Sequence, residues 1–167
     1  KLTVEGAITL KEQANADADT AAYGQLWTKT ATPNQLYFTN DAGNDILLSE
    51  EVFIISLSDE STDLTVGDGK AFFNMPFAMT LTGVKATVNT APTGANIIVD
   101  IEEGGASIFS TLLSIDAGEK TSSTAATAAV ISDASLANDA LITFDIDQIG
   151  SSTAGKGLKV TLYGYRT

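Results

Sequence analysis

Carboxylates are the only reactive side chains that this sequence supplies in quantity. It carries 21 acidic and 9 basic residues, no histidine and no cysteine. Without imidazole or thiol, no Ser-His-Asp or Cys-His nucleophile can be assembled, and no thiolate or imidazole metal site can form. Two-carboxylate chemistry remains, and glycoside hydrolysis is its common form, with the pair held roughly 5–10 Å apart. Asp145 and Asp147 repeat at i, i+2, as do Asp100 and Glu102; on a strand that spacing spans about 6.6 Å along one face. No tryptophan lies near either pair in sequence to floor a sugar site. Polar residues at alternate positions are also what any solvated sheet face requires. Both pairs are therefore assigned to a solvated face, and no catalytic residue is expected.

Two oxygen-rich stretches could suit calcium, Asn40-Asp41-Ala42-Gly43-Asn44-Asp45 and Asp59-Glu60-Ser61-Thr62-Asp63. Neither has the spacing of an EF-hand loop, and asparagine and aspartate make turns by bonding their own backbone. They are read as turns, with no metal site. Gly150-Ser151-Ser152-Thr153-Ala154-Gly155-Lys156-Gly157 resembles a phosphate loop in composition. Glycine follows the lysine where Ser or Thr is needed, and a strand pattern follows where a helix N-terminus would meet the phosphate. The segment is read as a flexible hairpin loop, and no nucleotide or other cofactor is expected.

The elements that position these residues are strands. Hydrophobic residues make up 44% of the 167, enough for a core, while aromatics are only 7%, so aliphatic side chains must do most of the filling. Residues 52–58 (VFIISLS) form a near-continuous apolar run, as in a central sandwich strand. Further strand candidates are 70–75, 77–82, 83–89, 96–103, 107–115, 140–147 and 157–165, with a short strand-like stretch at 128–131. The alternation slips by one near Gly83, which suggests a bulge or bend. Such short strands at close spacing predict an all-β fold, an antiparallel β-sandwich rather than a βαβ sheet; between sandwiches a jelly-roll-like order is preferred to an immunoglobulin-like one, although periodicity does not state topology.

The chain changes character near Ser49-Glu50-Glu51, which divides an N-terminal arm, 1–50, from a C-terminal sandwich, 51–167. In the arm, 25–29 (QLWTK) and 35–39 (QLYFT) read as a β-hairpin across the Thr30-Ala31-Thr32-Pro33-Asn34 turn. A hairpin of this size is marginal alone and needs partners. Leu26, Trp27, Leu36, Tyr37 and Phe38 are its candidate interaction residues, for packing between subunits or within the hairpin. Residues 10–22 are alanine-rich and acidic without a continuous apolar stripe, and read as loop with a possible short helix.

A net charge of −12 disfavours phosphate backbones and anionic lipid, so neither nucleic acid nor membrane is an expected partner. The absence of cysteine excludes a disulfide scaffold, leaving packing and subunit association to supply stability. No stretch reaches transmembrane length. The opening Lys1-Leu2-Thr3-Val4-Glu5 lacks a secretory-signal pattern and an initiating methionine, and reads as part of a processed or longer polypeptide.

Two stretches carry a resemblance. GQLWTKTATPNQLYFTNDAGNDILL (24–48) resembles a segment of tail-fibre and other structural proteins of tailed bacteriophages. There a Gly-Gln-Leu-Trp strand precedes Thr-Pro-Asn and a Leu-(Tyr/Trp)-Phe-Thr-Asp strand ending in Ala-Gly; Asn40 stands here where aspartate is usual. MPFAMTLTGVKATVNTAPTGANIIVDI (75–101), SIDAGEKTSST (114–124) and IDQIGSSTAGKGLKVTLYG (146–164) resemble a β-domain at the C-terminal ends of phage fibre, head-fibre and decoration proteins. The resemblance implies a non-enzymatic virion surface protein, a fibre or capsid-decoration component, homotrimeric and attached to other capsid or tail proteins. The competing expectation is a carbohydrate-binding module for host surface glycan, which predicts a row of exposed aromatics.

Overall fold

The structure is a computed structural model that describes residues 6–18, 21–31 and 34–167. The opening pentapeptide and the centre of the 30–34 turn lie outside the described residues. The chain forms two compact units, Lys1–Glu50 and Glu51–Thr167. It is all-β: no α-helix forms among the described residues, and one 3-10 turn spans Ser122–Thr124.

The first unit is one sheet of four strands, β1 (Glu12–Gln13), β2 (Gln25–Lys29), β3 (Gln35–Thr39) and β4 (Asp45–Leu47), in that order. β2–β3 and β3–β4 are antiparallel, and β1 joins β2 in parallel. Among its described residues the stretch 10–22 supplies β1 and no helix. The Gln25 amide takes up both backbone groups of Asp17, accepting from its N–H and donating to its carbonyl, each at 2.9 Å.

The second unit contains β5 (Glu50–Ser56), β6 (Gly67–Asn74), β7 (Met79–Thr87), β8 (Ile97–Glu103), β9 (Ala106–Ser107), β10 (Phe109–Thr111), β11 (Leu113–Ile115), β12 (Val130–Ile131), β13 (Ser135–Leu136), β14 (Leu141–Gln148) and β15 (Lys159–Arg166). One sheet runs β13-β7-β15-β5 and the other β11-β8-β14-β6, with β9 on β8 and a separate β10–β12 pair. Alternate residues of each long strand point into a common core: Ile97, Val99 and Ile101 from β8, Ile142, Phe144 and Ile146 from β14, Val160 and Leu162 from β15. Every one of these is essentially fully buried. The two sheets thus pack as a sandwich, each covering the other's apolar face.

Two local departures from simple alternation have visible causes. In β7 the register against β15 slips between Tyr163↔Gly83 and Gly164↔Leu81, leaving Thr82 unpaired. The inward set therefore changes from Met79 and Leu81 to Ala86 and Val88, and the strand keeps one apolar face despite the slip in its sequence. The stretch 107–115, expected as one strand, is three. The Ser107 hydroxyl donates to Asp100 Oδ1 at 2.6 Å and accepts from Phe109 N at 3.1 Å, turning the chain so that consecutive Ile108 and Phe109 are both buried.

The loop at 150–157 is tied down, contrary to the flexible hairpin loop expected. Thr153 bridges Thr93, Lys156 bridges Thr90, and the Lys156 ammonium donates to the Ser61 carbonyl at 2.9 Å. Gly155 holds φ near +95°, and a Cβ there would press on the Ile97 and Leu64 side chains.

Phe144 lies at the centre of the sandwich and stacks on Phe73 with ring centroids 6.1 Å apart. Phe144→Ala is expected to cost about 3–5 kcal/mol of unfolding free energy, the range for emptying a buried aromatic site. Urea titration checks this as a lower midpoint at unchanged slope; a loss under about 1 kcal/mol would contradict this placement of the core.

Candidate functional site

The residues singled out in the arm do not act as one patch, because the β2–β3 register separates them by parity. Leu26 stands opposite Phe38, Thr28 opposite Leu36, and Phe38 opposite Ile46 of β4. Trp27 stands opposite Tyr37, which pairs in turn with Leu47. Adjacent residues on a strand point to opposite faces, so the first set lines one side of the sheet and the second the other.

The Trp27–Tyr37 side is the unit's own small core. Trp27 is only 5% exposed and stacks on Tyr37 with centroids 5.0 Å apart. Its indole N–H donates to Thr39 Oγ1 at 2.8 Å, and the Thr39 hydroxyl donates to Asp45 Oδ1 at 2.6 Å. This chain of bonds satisfies the buried indole N–H and the buried Thr39 hydroxyl and clamps β4 to β2 through β3. The Lys29 ammonium lies 5.4 Å from the Tyr37 ring centroid. Trp27 is thus shielded from solvent, and the exposed aromatics among the described residues are Tyr23 and Phe38 in the first unit and Phe72 in the second.

The opposite side is apolar and open. Leu26 is 57% exposed and Leu48 51%, with Leu36, Phe38 and Ile46 also exposed. The Phe38 ring lies against the backbone of Gly24, where any Cβ would overlap it. Ile46 and Leu48 were missed from sequence. Their signal was their even-numbered spacing after a turn that returns the chain antiparallel to β3, which puts them on the Phe38 side.

The carboxylate pairs of the second unit meet on the outer face of its β8–β14 ladder. Asp100 stands directly opposite Asp145, and Glu102 opposite Thr143. Together with Asp147 and Asp68 they line a depression of about 350 Å³. Asp145 is buried and its Oδ1 accepts from Gly69 N at 2.6 Å, while Asp100 Oδ1 accepts from Ile101 N at 2.7 Å. Partial desolvation by the walls, then the charges of Asp100, Asp145 and Asp68, push the Asp147 carboxyl above the usual carboxylate range. Among the described residues no group of three or more acidic side chains has the geometry to hold a metal ion.

In each oxygen-rich stretch the leading residue, Asn40 or Asp59, bonds its own loop, while Asp45 accepts from Thr39 and Glu60 and Asp63 pair with Lys159 and Lys156. Asn40 Oδ1 accepts from the N–H groups of Ala42 and Asn44, both at 3.0 Å. Asp59 accepts from the Thr62 hydroxyl and N–H and from the Ser61 N–H and hydroxyl. These bonds, the Thr62 hydroxyl first, hold the Asp59 carboxyl well below the usual range. No protein-family model, curated protein or solved structure matches this chain.

Two measurements check these assignments. Trp27 is the single tryptophan, so its fluorescence follows the first unit alone. Thr39→Val keeps the shape but strands the buried indole N–H, and is expected to cost about 1–3 kcal/mol by fluorescence while leaving the sandwich melt unchanged. An unshifted fluorescence midpoint would remove the clamp. For Asp147, a folded-state pKa above the unfolded one means the charged form costs stability at neutral pH, and the cost fades as pH falls through that pKa. Asp147→Asn is expected to stabilise by up to about 1 kcal/mol at neutral pH, the scale of a cross-strand charge pair. Melts repeated down to about pH 4, where ordinary carboxyls protonate, are expected to show that gain vanish; a gain that persists there would contradict its electrostatic origin.

Proposed function

We propose that this chain is a non-enzymatic surface protein of a tailed-bacteriophage virion, a fibre or capsid-decoration component. It works by associating with copies of itself as a homotrimer and by attaching to other virion proteins. The observation that carries this reading is the open apolar face of Leu26, Leu36, Phe38, Ile46 and Leu48. Among the described residues of the unit that bears it, the core is the Trp27–Tyr37 side. A four-stranded sheet in water gains stability by burying such a face, and symmetric copies bury it mutually.

The sandwich supports the same reading through its strand order. Strands β5 to β8 alternate between the sheets, β11 stays beside β8, and β13 to β15 alternate again, giving β13-β7-β15-β5 and β11-β8-β14-β6. That order fits a jelly roll of eight strands, an architecture common in viral capsid domains. The sequence resemblance of 24–48 and of 75–101, 114–124 and 146–164 to phage fibre and decoration proteins supplies the setting.

Sedimentation or mass photometry of the full chain at micromolar concentration is expected to give a three-chain species; a stable monomer would overturn the proposal. Phe38→Asp is expected to weaken association at least about tenfold, since that is about 1.4 kcal/mol and central apolar anchors contribute about 2 kcal/mol or more. Labelling of intact particles then separates the roles, because copies on capsid symmetry axes mean decoration and a few at the tail mean a fibre.

A further inference from the structure

Asp145 is the charged side chain that the described residues bury, at 7% exposed. On β14 it sits between Phe144 and Ile146, which pair with Ala71 and Gly67 of β6. A single β14 residue therefore faces three of β6, Asp68, Gly69 and Lys70, and these have no rung of the ladder. The Gly69 N–H turns instead to a side chain and donates to Asp145 Oδ1 at 2.6 Å.

Asp68-Gly69 is also the only place in the sequence where glycine follows aspartate or asparagine. At such a step the amide nitrogen can attack the side-chain carbonyl of the residue before it and close a five-membered imide ring. Glycine permits the approach because it has no Cβ to obstruct it. Ring closure further needs a nitrogen outside the ladder, room around the peptide, and a base to take the amide proton. The bulge supplies the first. Asp68 and Gly69 are both exposed, Gly69 has φ near +60°, and a Cβ built on it meets nothing within 4 Å, which supplies the second. A base must lie within hydrogen-bond reach of the proton it removes, and Asp145 Oδ1 already accepts that N–H.

We propose that Asp68 is a self-modification site, at which the Asp68–Gly69 linkage converts to isoaspartate with Asp145 as the base. The Gly69 nitrogen bonds to the side-chain carbonyl carbon of Asp68 while its proton passes to the Asp145 carboxylate. The hydroxyl of the protonated Asp68 acid then leaves as water, taking that proton back from Asp145. A second water opens the imide at either carbonyl. Opening at the main-chain carbonyl routes the backbone through the aspartate side chain and frees the α-carboxylate. One water leaves and one enters, so no oxidant or cofactor takes part.

The product keeps the mass and charge of the chain and lengthens its backbone by one carbon. In a regular rung that carbon would disturb every pairing beyond it. In the bulge, where three residues already face one, it has slack to enter. The change falls on the Asp68–Gly69 wall of the acidic depression. It is independent of the self-association proposed above.

The test holds the folded full chain in warm, mildly acidic heavy-oxygen water, then maps its peptides by mass spectrometry. Each opening of the imide fixes one heavy oxygen, so label counts turnover, and electron-transfer fragments tell isoaspartate from aspartate. The peptide holding Asp68 is expected to take up label faster than any other aspartate peptide and to accumulate isoaspartate at that position. Asp145→Asn keeps an acceptor for the Gly69 N–H but is a poor base. It is expected to slow uptake at least about tenfold, since general-base help is worth about 10²–10⁴-fold. In urea the two chains are expected to label alike, because unfolding removes the base from the peptide. Uptake at Asp68 no faster than elsewhere in the folded wild type overturns the proposal, and so does equal uptake by folded Asp145→Asn. Where that variant does not fold, wild type alone decides: labelling at Asp68 that is slower folded than in urea overturns the role of Asp145.

Discussion

Burial of one side-chain parity per strand between two sheets is the interaction on which the second unit depends. The chain has no disulfide to restrain it and a net charge that opposes its own compaction. Its cohesion comes from Ile97, Val99, Ile101, Ile142, Phe144, Ile146, Val160 and Leu162, all turned to the same interior. Where the sequence slips by a residue, as at Gly83, the backbone absorbs the slip in an unpaired Thr82 and keeps the apolar face inward. Burial is worth more than one regular rung of the ladder, so the ladder yields.

Turning one parity inward sends the other outward, and this accounts for the acidic depression. Asp100, Glu102, Asp145 and Asp147 alternate with core residues on two adjacent strands, so antiparallel pairing sets Asp100 against Asp145. The like charges meet as a by-product of aligning Ile101 with Phe144 and Val99 with Ile146. The repulsion is small beside the burial gained, and backbone donors from Gly69 and Ile101 offset part of it.

The first unit obeys the same rule with half the means. One parity, Trp27 with Tyr37, forms a core with a hydrogen-bonded clamp, and the other, Leu26 with Phe38, is covered by no second sheet among the unit's described residues. In the first unit exposed apolar residues line a sheet face, and the role proposed for the Leu26–Phe38 face rests on that.

That 77–82 and 83–89 run on as the one strand β7 was not legible in the sequence. All-β character, the places of most long strands and the irregularity at Gly83 were, because strand periodicity and turn chemistry are local. So was the assignment of 40–45 and 59–63 to turns, since Asx geometry reaches only two to four residues along the chain. Tertiary structure alone decided what depends on register between distant segments. It parted Trp27 and Tyr37 from Leu26, Leu36 and Phe38, joined Asp100 to Asp145, broke 107–115 at Ser107, and pinned the 150–157 loop to Thr90 and Thr93. A sequence states which residues alternate; only the pairing of strands far apart in the chain states which of them meet.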